Sequence, residues 1–250
     1  MRADSERTVP IADPAGRELA ISCGAAALTA RVALRYLGLI CHPEVLPDPG
    51  IANLLVRLRW GEERKQPSDY ERRLFDEVAA RRTHRGGFAT DRLPVGLMST
   101  LTEAAARENA TLRIMTDDDH RAAMLAVVAA ADCAFGLDRA RVAEEVKWMS
   151  PAVAQPVDRG WGARPQAEST APGSSGVVAL LTTPGDEQAD WVHAGQALQR
   201  VLLVAGSQGV SVAMDAAPLQ FGQLREFIGS ELVGGDRPQM VLRFGMMGHA

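Results

Sequence analysis

The fold turns on DWVHAGQALQRVLLVAGSQGVSVAM, Asp190 to Met214. Trp191, Ala194, Leu198, Val201, Leu202 and Ala205 recur at helical spacing, so residues 189–208 read as an amphipathic helix. Gly209 closes it, and GVSVAM continues as a strand. A stretch of the same build, RELAISCGAAALTARVALRYL, occupies 17–37, with Leu19, Cys23, Ala26, Ala27, Ala30, Leu34 and Leu37 as its apolar positions and Gly38 as its stop. Gly24 and Gly195 stand 171 positions apart, as do Gly38 and Gly209, and Pro47 and Pro218. Farther on, Leu58-Arg59-Trp60-Gly61 matches Leu242-Arg243-Phe244-Gly245 at an offset of 184, which leaves room in the second copy for a short helix near 222–230. The constant offset predicts an internal duplication: an α+β fold with a mixed central sheet flanked by helices, in two pseudo-repeated halves. The two helices and their following strands should then be related by an approximate two-fold axis. A chance alignment of two Ala/Gly-rich helices is the competing reading.

Between these segments, IANLLVRLRW (51–60) ends in strand-like alternation, and a charged helix follows at 69–80 behind the cap residue Ser68. Further helices are expected over 95–109, 118–132 and 138–149, with strands at 111–115, in GVVALLTT and in QMVLRF. Residues 151–175 shift to Pro, Gly, Ser, Gln and Ala without periodicity, the composition of a long loop or lid.

With 250 residues, 46% of them hydrophobic, the chain can bury the core of one large domain or two small ones. A net charge of −4 argues against a broad phosphate-backbone footprint, and so against nucleic acid as partner. The charged, Pro-containing start lacks the apolar core of a signal peptide, and no later apolar run reads as long enough to span a bilayer; a cytoplasmic protein without membrane contact is expected. Cys23, Cys41 and Cys133 lack metal-ligand spacing and fit reduced thiols. The five histidines form no HxH or HExxH pattern, and Asp117–Asp119 before His120 suit a helix cap and acidic first turn better than a metal, so no metal site is expected.

RRTHRGGF, Arg81 to Phe88, sets three arginines and a threonine directly after a helix. If this segment is extended, Arg81, Thr83 and Arg85 point to one side, and Arg82 and His84 to the other. Two guanidinium forks and a hydroxyl suit a phosphate monoester. An arginine-rich helix end meeting its own carbonyls and solvent explains the same spacing.

RRTHRGGFATDRLP resembles the RRSxRxF…PV opening of the nitroreductase family of FMN flavoproteins, DWVHAGQALQRVLLVAGSQGVSVAM resembles its central helix and next strand, and VLRFG its C-terminal strand. DPAGRELAISCGAAALTARVALRYLG is similar to the Acg-type branch, in which two nitroreductase halves are fused. The resemblance implies FMN as cofactor, with Arg81, Thr83, Arg85 and Arg243 on its phosphate and Met214, Asp215 and Ala216 near the pyrimidine edge of its ring. It implies NAD(P)H as donor, a nitroaromatic or quinone as acceptor, and a homodimer as one assembly. Residues 1–66 would be the remnant of a first half and 67–250 the second, intertwined as one globular unit. The flavin does the electron transfer in such proteins, so no catalytic side chain is named. One departure stands out: AAARENATLRIM runs straight from helix to strand where the family carries a PSxxNxQPW loop that clamps the flavin ring, and in the Acg-type branch that loop lies upstream of the DP-GRE segment. A shortened FMN oxidoreductase, an FMN protein completed by a second subunit, and a flavin-binding, flavin-sequestering or scaffold protein all remain open on these residues.

Overall fold

The computed structural model describes residues 1–84, 87–89, 91–148 and 176–247. Helix α1 (Arg17–Tyr36) leads into the antiparallel hairpin β1 (Leu39–Val45) and β2 (Val56–Arg64). Then come α2 (Asp69–Ala80), α3 (Leu97–Ala106), β3 (Thr111–Ile114), α4 (Asp118–Leu137) and α5 (Arg139–Trp148). After β4 (Val177–Thr183) the chain forms α6 (Gln188–Gly206), β5 (Ser211–Asp215), α7 (Ala217–Gln220), α8 (Gly222–Phe227), a π-turn over 228–232 and β6 (Arg237–Gly245). The expected lid, 151–175, lies outside the described residues.

Four strands form one sheet in the order β3-β4-β6-β5. One face carries α6, backed by α1 and α3, through Ala179, Leu181, Val212, Leu242 and Phe244. Strand alternation turns Val178, Leu180 and Val241 to the other face, where Met124, Val127 and Val128 of α4 cover them. The α+β class is as the sequence predicts. The mixed sheet is not: every ladder among the described strands is antiparallel. Helix α6 carries β4 over to β5 in the same direction, but β6 inserts between them and runs against both, so the parallel relationship never becomes a ladder.

Helix α4 also corrects the expectation that no segment could span a bilayer. Its 20 residues meet the length and composition of a membrane span, though within this fold its Met124, Val127 and Val128 pack on the sheet. Two other predictions shift. The buried face of α1 is Arg17, Ala20, Ile21, Cys23, Gly24, Ala27, Leu28 and Val32; it keeps Cys23 and Ala27 of the apolar stripe read in the sequence but is rotated from the rest of it, and Leu37 is 68% exposed. Helix α6 is buried nearly all round, from Val192 to Ala205, because it lies between the sheet and other helices.

The rotated face of α1 has one cause, the backbone contact with α6. A methyl group at Gly24 would run into the carbonyl oxygen of Val192, and one at Gly195 would run into that of Ile21. The contact is reciprocal: Ile21 and Val192 are again 171 positions apart. The strands repeat it. Cys41↔Trp60, His42↔Arg59, Pro43↔Leu58 and Glu44↔Arg57 in the first hairpin become Val212↔Phe244, Ala213↔Arg243, Met214↔Leu242 and Asp215↔Val241 in the second, each partner displaced by the offsets 171 and 184. Strand β1 was not announced by the sequence, since Pro43 sits in its middle; as an edge strand it tolerates the missing donor.

Gly24→Ala or Gly195→Ala should force the helices apart and cost about 2 kcal/mol or more, read from urea unfolding midpoints. Gly136→Ala, in open space on α4, should be neutral or stabilise by up to about 1 kcal/mol.

Candidate functional site

Helix α2 starts in a capping box, with Ser68 and Glu71 exchanging bonds, and ends at Arg81, whose backbone turns extended (φ −59°, ψ 133°). The extended chain then runs beside β5, the edge strand, and the amide of His84 donates to the carbonyl of Val212 at 3.0 Å. Farther along, the Ala89 amide donates to Met246 at 2.9 Å. His84 is thereby held to β5, and Ala89 to the chain just beyond β6.

In this setting the arginines divide. Arg81 Nη1 donates to Thr83 Oγ1 at 3.4 Å, so these two side chains lie on the same side, as alternation predicts. Arg82 Nη1 donates to the carbonyls of Ala79 (2.7 Å), Ala80 (3.4 Å) and Arg81 (3.0 Å), closing the end of α2. The helix-end reading of the basic run is therefore realised by Arg82. Arg81 and Thr83 border a cleft of about 360 Å³ with Leu202, Gly206 and the backbone of 209–212. Burial, with Arg82 beside it, pushes the Arg81 guanidinium below its ordinary pKa. Glu77 also borders the cleft, its carboxylate against Gly206, where a larger residue would displace it.

The other expected site residues lie elsewhere. Arg85 is outside the described residues. Arg243 projects from the α4 side of the sheet, 3% exposed, with its guanidinium 5.3 Å from the Phe88 ring; it does not border the Arg81–Thr83 cleft. Burial lowers its pKa, and the charge of Asp215 partly offsets that. Asp215 Oδ1 accepts the Ala217 amide at 2.8 Å and so opens α7. Met214 and Ala216 pack against the α6-side core. Among the described residues, Arg81 and Thr83 share a cleft, and Arg243 and Asp215 share the opposite sheet face. Phe88 lies 4.5 Å from the His84 ring and fills space left by Gly176 and Gly245.

No family model matches the chain. A Mycobacterium tuberculosis protein named "Putative NAD(P)H nitroreductase", in strains H37Rv and CDC 1551, is 29% identical over 253 residues, covering 93% of this chain and 72% of the relative. The chain is thus similar in sequence to a protein that bears a nitroreductase name. Among solved structures, a nitroreductase with bound FMN from Desulfitobacterium hafniense shares 16% identity over 71% of this chain and 90% of that one, at a TM-score of 0.49. The FMN-dependent nitroreductase NfnB from Mycobacterium smegmatis, in complex with NADPH, shares 19% over 72% and 89%, at 0.48.

Read from sequence alone, Glu77 and His84 carry no signal for this cleft, and Phe88 enters only as the last residue of the RRTHRGGF resemblance, without its packing partners. Gly245 was the available clue, since a glycine ending a buried strand marks close approach of another group. Phe88→Ala should cost about 3 kcal/mol by chemical denaturation, because it empties a buried aromatic site. Arg82→Ala should cost about 1 kcal/mol, the loss of its exposed contacts with the carbonyls of Ala79, Ala80 and Arg81.

Proposed function

We propose that the chain binds FMN and passes electrons from NAD(P)H to a small acceptor such as a nitroaromatic or quinone. The observation that carries this reading is the Arg81–Thr83 pair, side by side on a cleft at the junction of α6 and β5. A guanidinium offers two parallel donors and the hydroxyl a third, which fits a phosphate monoester. The resemblance adds Arg85 as a further phosphate contact and Met214–Ala216 as ring contacts, whereas Arg243 does not border the Arg81–Thr83 cleft. A bound FMN would supply the redox chemistry, two-electron transfer between the nicotinamide and the acceptor. The chain's part is to hold the phosphate end, while Arg82 keeps α2 in place behind it. In this reading residues 1–66 and 67–250 descend from two Acg-type halves, the assembly includes a homodimer, and the protein works in the cytoplasm.

One observation favours a second reading, in which flavin is held without turnover. Helix α3 ends at Ala106 and β3 begins at Thr111, and the connection is closed by bonds from the Glu108 and Asn109 amides to Ala105 and Ala106, so no loop extends there toward a ring.

FMN and riboflavin titrations separate these contributions. Arg81→Ala should weaken FMN by about one to two powers of ten and leave riboflavin unchanged, while Arg82→Ala leaves the preference for FMN intact. Equal losses for both variants, or an undiminished FMN preference in Arg81→Ala, would remove the phosphate cradle. NAD(P)H oxidation with FMN and a quinone then distinguishes an enzyme from a flavin store.

A further inference from the structure

The repeat that relates α1 to α6 also relates two clefts. Leu202, Gly206 and Val212 border the Arg81–Thr83 cleft; displaced by 171 positions they are Arg31, Arg35 and Cys41, which border a second cleft of about 390 Å³. Each cleft lies where one of the paired helices ends and its strand begins. Helix α2 serves both, with its C-terminal end at the first and Tyr70, Glu71 and Leu74 at the second.

The second cleft obtains its charge differently. Where the first has Leu202 and Gly206, the second has arginines on the helix itself, joined by Arg107 and Arg200. Arg31 reaches Glu108 at 2.6 Å through Nη1, and Arg200 reaches the same carboxylate through Nε and Nη2. Arg35 pairs with Glu71 at 2.6 Å. Arg107 stacks over Tyr70, its guanidinium carbon 5.9 Å from the ring centre. Four guanidiniums against these two carboxylates leave an excess of two positive charges, the charge of one phosphate monoester dianion. Nη2 of Arg31 and Nη1 of Arg200 make no bond among the described residues, and Arg107 is on the exposed rim. Val32, Leu74 and Tyr70 supply an apolar wall.

We propose that this cleft is a second anion site, which takes a phosphate monoester carried on a small apolar or aromatic body. Arg31, Arg107 and Arg200 hold the phosphate, and Tyr70 and Leu74 face the body. Glu108 is 5% exposed and fixes two of the three forks before any ligand arrives, so little side-chain ordering remains on binding.

Cys41 borders this cleft and not the first, which gives a local readout. Phenyl phosphate is the probe and phenol its control. Iodoacetamide alkylation at alkaline pH, resolved by peptide mass, reports Cys41, with exposed Cys133 as internal reference. Phenyl phosphate should slow Cys41 alkylation and leave Cys133 unchanged, and phenol should do neither. Arg107→Ala should raise the half-protecting concentration about tenfold or more, Arg107→Lys less, and Arg81→Ala not at all. Absence of protection, equal protection in wild type and Arg107→Ala, or loss of protection in Arg81→Ala would overturn the proposal.

Discussion

Two glycines let two helices touch backbone to backbone, and the rest of the arrangement follows from that contact. Gly24 lies against the Val192 carbonyl and Gly195 against that of Ile21, so neither helix can rotate or slide without a clash. Large side chains at this crossing would hold the axes apart. The close approach turns Ala20, Ile21, Ala27 and Leu28 inward and leaves Leu37 outside. It also buries α6 on almost every side, which commits that helix to the centre of the molecule.

Once the helices are fixed, so are the strands that leave them. Gly38 and Gly209 both take positive φ, 81° and 72°, and send the chain into β1 and β5. The matched register of the two hairpins is then expected of equal segments leaving equal helix ends. Their surroundings differ. β6 has β4 on its other edge and helices on both faces, whereas β2 is mostly exposed along its length. The same geometry therefore yields one hairpin inside a sheet and one at the surface. It also yields two clefts, basic through a loop in one case and through the helix in the other.

The repeat was legible because glycines and prolines constrain backbone, and backbone constraints survive where side chains change. Gly24, Gly195, Gly38 and Gly209 carried the offset, and the offset carried the strand register. Helix faces were less legible: in RELAISCGAAALTARVALRYL alanines occupy every side, so spacing alone could not choose the face that the close crossing selects. Sheet direction was not legible either, since the insertion of β6 between β4 and β5 is a long-range event. In the site, alternation places Arg81 and Thr83 on one side, and the helix-end reading describes Arg82 on the carbonyls of α2, but the spacing alone could not assign the two roles to these residues. Phe88 stayed hidden because its partners, Gly176, Arg243 and Gly245, are far away in the chain.

These constraints set the walls of the Arg81–Thr83 cleft from α2, α6 and β5, the cleft to which the proposed function assigns the phosphate of a flavin. The most direct test is optical. The purified chain is saturated with FMN, freed of unbound flavin, and mixed with NADPH without oxygen. The account predicts a yellow protein that bleaches with the nucleotide and regains its colour on addition of a quinone. A chain that emerges colourless after FMN saturation would contradict it.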